Sequence, residues 1–261
     1  MSLINETLKN ITLKELCILI ISIFIIFQVL KSLNIISLDS KAMYILIIFY
    51  FIFKLRNSFS SLKDDLKEVF LKDSMKSILL VVILNIFLSY GFLYLANFIL
   101  MAFPSLNFLV SFPISSIYLN NSLSLAFGVI AIIVVSPISE ELIFRGVMLN
   151  RMNLFVPTKF AIVITSLLFA ALHSFGSITS AFIFAFCMAI LYLKTDNIFV
   201  PMFAHFLNNL LAESIVAFDS QNLLFTNSIL IYSVSILAII SFVIIFISIS
   251  RQWNNINNNQ S

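Results

Sequence analysis

Residues 77–103 read SILLVVILNIFLSYGFLYLANFILMAF, and not one of them carries a charge. They open a wider interval, between Lys76 and Glu140, that is free of charged residues throughout. Two bilayer crossings of about 20 residues each, with a connection, fit inside it. The same bias runs through the whole chain, which is 61% apolar and 10% charged, where a soluble globular domain carries about 25% charged residues. So few charges cannot build a water-facing surface, and the solvent for most of this chain is lipid.

Outward from that run, apolar windows fall at 14–33, 38–55, 77–103, 122–150, 158–174, 178–194, 198–217 and 227–250. Each is of membrane-spanning scale, so the expected fold is an all-α polytopic membrane bundle of about eight transmembrane helices. The second window is the shortest in dense apolar content, from Met43 to Leu55, and Asp39 and Lys41 precede it, which suits a tilted or partly inserted helix. The run from Leu16 to Leu30 has the length of a signal-peptide core. Its leading segment mixes Lys9 and Lys14 with Glu6 and Glu15, however, and no small-residue cleavage site follows, so it is taken as a retained helix.

An eight-helix count puts alternate connectors on one side. Lys54, Arg56, Lys63, Lys67, Lys72 and Lys76, then Arg145, Arg151 and Lys159, then Lys194 and Arg251 all fall together, while the opposite connectors hold little beyond Lys31 and Lys41. Positive-inside bias then predicts a multi-pass protein of the cell membrane with both termini cytoplasmic. The net charge of +3 forms no stripe, which argues against nucleic acid as a partner. Cys17 and Cys187 each sit inside an apolar run, so neither a disulfide framework nor a cysteine metal cluster is expected. Leu62, Leu66, Val69 and Phe70 recur at helical spacing among charged residues, the pattern of an amphipathic helix on the membrane interface. The uncharged connector 104–121, with Pro104 and Pro113, is expected to re-enter the membrane or cap a cavity, and the Asn-rich tail after Arg251 to be disordered.

An ionisable group at membrane depth costs roughly 2.5–3.5 kcal/mol on insertion scales, so each one needs a partner or a task. The carboxylates that stand out are Glu140 and Glu141, and both histidines of the chain, His173 and His205, lie in later apolar windows. The first cluster is Ser136-Pro137-Ile138-Ser139-Glu140-Glu141-Leu142-Ile143-Phe144-Arg145. Pro137 is expected to interrupt the helix and start a new segment, with both carboxylates in its first turn where the dipole favours them. Glu141 and Arg145 are i,i+4 neighbours and can pair, while Glu140 stands about 100° away and is free to face a cavity. The structural alternative is a salt bridge at the membrane edge with no chemistry.

The second cluster, Phe169-Ala170-Ala171-Leu172-His173, sets an aromatic ring beside an imidazole, and the third, His205-Phe206-Leu207-Asn208-Asn209, puts His205 and Asn209 on one face with Asn208 turned aside. Each alone has an ordinary structural explanation, as an interfacial histidine or an interhelical hydrogen bond. Three such clusters in one bundle point to a shared site.

In that order and at those separations the motifs resemble those of the CPBP family, which groups CAAX prenyl endopeptidases of the Rce type with bacteriocin-processing and bacteriocin-immunity membrane proteins. Residues 192–201, leading into His205, are also similar to the family's approach to its third motif. The likeness covers about 122–217, which divides the chain into N-terminal transmembrane helices with a cytoplasmic amphipathic connector (1–121), a catalytic core (122–217), and a last transmembrane helix with the Asn-rich tail (218–261).

The resemblance implies an intramembrane endopeptidase acting on a membrane-associated peptide or protein. Glu140 would be the general base, His173 would orient the water, and His205 and Asn209 would donate to the oxyanion, with Glu141, Arg145 and Phe169 in structural support. Members of the family are described both as metalloproteases and as metal-independent glutamate proteases. Glu140, His173 and His205 suit zinc by residue type. Their spacing is not His-Glu-x-x-His, and neither histidine has an obvious carboxylate behind it, so the expectation is that no cofactor is required. Two other readings stand beside this one: a non-proteolytic bacteriocin-immunity or scaffold protein on the same fold, and a transporter, for which no internal repeat is found.

Overall fold

A computed structural model describes residues 2–33, 41–109 and 127–258, and helix is the regular structure found among them. The elements are α1 (Leu3–Asn10), α2 (Leu13–Ser32), α3 (Lys41–Leu55), α4 (Leu62–Val69), α5 (Lys72–Ala102), α6 (Phe127–Met152), α7 (Thr158–Ala170), α8 (Ile178–Thr195), α9 (Phe199–Phe218), α10 (Leu223–Thr226) and α11 (Ser228–Asn258). Six of them, α2, α5, α6, α8, α9 and α11, are long and apolar enough to cross a membrane. The chain is an all-α, multi-pass membrane protein.

Every apolar window holds one helix, but two helices fall short of a full crossing. α7 has 13 residues, a rise of about 20 Å against a hydrocarbon core of about 30 Å. α3 has 15 residues and bends through 94° into the segment that contains α4. α6 and α8 lie at the centre, whereas α2 and α11 keep most of their surface for lipid. α5 runs along α11 and also packs on α8 and α9. Its approach to α11 depends on Gly91, where an added Cβ would lie 2.5 Å from the Ala238 Cβ. Small residues let two backbones come this close in a bilayer, where dispersion drives helix pairing.

α1 was not foreseen as a helix, and it seats the polar side of the bundle. Ile4 and Leu8 are fully buried, and Gly146 of α6 leaves room for Leu8. Asn5 donates to the Asp196 carbonyl and accepts from the Ile198 N–H at 3.2 Å. Asp196, at φ 46°, ends α8 in the left-handed region that Asp tolerates better than most residues, and Lys9 meets its carboxylate at 2.6 Å.

The amphipathic helix of the basic connector is α4, which leaves Leu66 and Phe70 free for a membrane interface and packs on the protein by another face. Asp65 and Val69 are buried, while Leu66 and Phe70 are exposed. Asp65 turns inward because Ser2 and Ser61 donate to its carboxylate at 2.7 and 2.9 Å, and Asn197 donates to its carbonyl at 2.8 Å.

The tail expected to be disordered after Arg251 continues as helix to Asn258. Trp253 holds it down, stacked on Phe186 with Lys159 over the indole. The connector 104–121 begins as a short 3-10 turn, Pro104–Leu109, and its remainder lies outside the described residues.

Candidate active site

α6 carries the Glu140 cluster on an irregular backbone. Ala131–Val135 and Leu142–Leu149 are π-helical, with an α-helical Ser136–Glu141 between them. Pro137 therefore does not break the helix, contrary to the expectation from sequence. A proline lacks an N–H and crowds the carbonyl four residues back, and a wider turn relieves both problems. Within that turn Ser136 N–H reaches five residues back to the Ala131 carbonyl. The next carbonyl in this register, Ile132, would pair with the proline nitrogen, which has no hydrogen. Asn209 of α9 supplies the missing donor, with Nδ2 3.0 Å from the Ile132 oxygen.

One turn further on, Glu141 is fully buried and its Oε1 accepts from two partners. Arg145 Nη1 lies at 2.9 Å, the expected i,i+4 pair, and His205 Nδ1 lies at 2.8 Å. The second contact corrects the expectation that neither histidine has a carboxylate behind it. Arg145, itself 2% exposed, also donates to the Ala185 carbonyl at 3.1 Å and lies over the Phe169 ring. Burying two such ions costs several kcal/mol each, roughly offset by their attraction and these charge-assisted hydrogen bonds. A carboxylate only accepts, so the proton on His205 sits on Nδ1 and Nε2 is turned towards Glu140, 3.9 Å from its Oε2.

Glu140 is 8% exposed, and its Oε1 accepts from the Ser136 hydroxyl one turn back. His173 lies just beyond the end of α7 and not within it, because α7 stops at Ala170. Its backbone N–H bonds the Ala170 carbonyl at 2.9 Å and its Nδ1 lies 3.0 Å from the Phe169 carbonyl, so the residue closes the last turn. A carbonyl also only accepts, which leaves Nε2 of the neutral ring as the acceptor. The buried Phe169 ring touches both imidazoles, with centroids 4.8 Å from His173 and 5.9 Å from His205. Asn208 does turn aside, accepting from Asn85 of α5 at 2.9 Å.

Glu140, Glu141, Arg145, Phe169, His205 and Asn209 thus meet at α6, and His173 joins the group through the Phe169 ring that it shares with His205. Two further neighbours were missed from sequence. Ser136 donates to Glu140, and the Phe184 ring lies edge-on against the His205 imidazole. Zinc would suit the residue types, but no three His, Cys, Asp or Glu side chains among the described residues are grouped to hold an ion.

Compared with known families, residues 122–211 match the type II CAAX prenyl endopeptidase Rce1-like family. No curated protein and no solved structure matches the chain. The matched span contains the three motif clusters and their π-helical frame, while α1 to α5 and α11 lie outside it. By that match the segment holding the buried cluster, residues 122–211, is similar to the type II CAAX prenyl endopeptidases of the Rce1-like family.

Proposed function

We propose that this chain is an intramembrane endopeptidase that hydrolyses a membrane-associated peptide or protein, with Glu140 as the base that activates water. The observation that carries this reading is the Glu140 carboxylate itself. One oxygen is held by Ser136, and the other stands 3.9 Å from His205 Nε2. That separation is too long for a direct hydrogen bond and is of the size that a bridging water or reacting group spans.

Peptide hydrolysis needs an activated water, a stabilised oxyanion and a proton for the leaving amine. Glu140 takes a proton from water, and His173, with an acceptor Nε2, orients the same water. Glu140 then passes the proton to the amine. His205 donates to the oxyanion from Nε2 when its ring carries both protons, and Asn209 offers the amide hydrogen not given to Ile132. Glu141 fixes the ring of His205, and Arg145 neutralises Glu141. No resident metal takes part in this scheme.

Residues 122–217 form the catalytic core on scaffolding helices to either side. Counted with α3 and α7 as crossings, the distribution of Lys and Arg supports a cell-membrane protein with both termini in the cytoplasm. The test is purified protein in liposomes with a quenched fluorescent peptide ending in a farnesylated CAAX sequence, together with mass spectrometry of peptides that accumulate in cells bearing Glu140→Ala. Cleavage that survives chelation and is lost in Glu140→Ala supports the scheme. Activity lost to a chelator and restored by zinc overturns its metal-free part, and bacteriocin protection that persists with Glu140→Gln favours a scaffold role.

A further inference from the structure

Asn85 stands near the middle of α5, inside the charge-free run, and is buried. Val82 and Leu88 flank it on the same helix face, and both belong to an apolar cluster that also holds Ala204, one turn before Asn208 on α9. A carboxamide in such surroundings needs partners, because a buried polar group without one stands uncompensated among apolar side chains. Asn85 Nδ2 donates to Asn208 Oδ1 at 2.9 Å, and Asn208 Nδ2 donates to Asn209 Oδ1 at 3.4 Å. Asn209 Nδ2 in turn donates to the Ile132 carbonyl at 3.0 Å. A chain of carboxamides therefore connects α5 through α9 to the π turn of α6.

The direction of this chain is set at its far end. The Ile132 carbonyl only accepts, so Asn209 must offer it Nδ2 and keep Oδ1 for Asn208. Asn208 must then present Nδ2 to Asn209 and Oδ1 to Asn85. The atom left over is Asn85 Oδ1, which is buried with no hydrogen-bond partner. Without a donor from α5, nothing holds Asn208 in this sense. Turned over, it would bring oxygen against Asn209 Oδ1 and swing the Asn209 amide off its line. We propose that Asn85 is a positioning residue for Asn209, acting through Asn208, so that α5 completes a site whose other members lie within residues 122–211. This role rests on Asn209 being the oxyanion donor inferred above.

The experiment measures cleavage of the farnesylated probe in liposomes, per folded molecule, by wild type, Asn85→Leu, Asn209→Ala and the double variant. Leucine keeps the branching of asparagine and removes the donor. Asn85→Leu is expected to lower kcat about 10-fold with KM unchanged, and to lower it no further once Asn209 is alanine. A residue that only supports the fold would act independently, and its effect would multiply with that of Asn209→Ala. Full kcat in Asn85→Leu, or losses that multiply in the double variant, overturns the proposal while a loss in Asn209→Ala keeps the oxyanion assignment. If wild type leaves the probe intact, or Asn209→Ala keeps full kcat, the oxyanion assignment fails and the orientation of Asn209 is judged from the melting temperatures of the same four proteins. Changes in the two single variants that fail to add in the double variant support the chain from Asn85 to Asn209, and additive changes overturn it.

Discussion

Two regions of this protein bury polar side chains, and they do so in opposite ways. Where α1, α4 and the start of α9 meet, every polar atom named has a partner. Asn5 is bonded through both its oxygen and its nitrogen, and Asn197 gives its amide to Asp65 and Glu68 while its oxygen accepts from Phe199. In the Glu140 cluster, by contrast, Glu141 Oε2 is buried with no hydrogen-bond partner, and Glu140 Oε2 stands beyond bonding distance from His205. A closed network fixes the shape of a fold. An open one raises the cost of folding, and its loose ends are where a substrate finds donors and acceptors.

The contrast can be broken or sharpened by mutation. The largest expected effect is on catalysis: Glu140→Gln keeps the shape of the side chain, so cleavage per folded molecule falls about 10²–10⁴-fold while the detergent melting curve is unchanged. Glu141→Ala comes next. It leaves Arg145 buried without a counter-charge and frees the ring of His205, so stability falls by about 3–5 kcal/mol in a denaturation series. A Glu141→Ala protein of wild-type stability would mean that the cluster is more hydrated than its burial indicates. Asn5→Ala opens the closed network and costs about 1–3 kcal/mol, yet cleavage per folded molecule stays near wild type. Loss of activity without loss of stability there would erase the distinction between the two regions. The smallest effect belongs to Lys9→Met, whose ion pair with Asp196 is a third exposed on each side and is worth about 0–1 kcal/mol in the same melts.

Much of this arrangement was legible in the sequence for local reasons. Apolar windows declare helices because lipid selects for them residue by residue, and i,i+4 spacing announced both the Glu141–Arg145 pair and the shared face of His205 and Asn209. What escaped depends on distant partners. The bond between Glu141 and His205 joins residues 64 apart. Pro137 looks like a helix break until Asn209, on another helix, is seen to satisfy the Ile132 carbonyl. Asp65 on α4 reads as a water-facing residue until Ser2 is brought beside it. α1 has only a short apolar face, Ile4 and Leu8, whose packing partners lie on α6 and beyond.

The central claim is that Glu140 delivers water and does not itself attack the peptide. A single turnover of substrate by excess unlabelled enzyme in heavy-oxygen water tests it directly, by mass spectrometry of the new carboxylate and of the Glu140 peptide. The account predicts one heavy oxygen in the first product and none in Glu140. A first product carrying ordinary oxygen, with the label found instead in the Glu140 side chain, would make Glu140 a covalent nucleophile and contradict it.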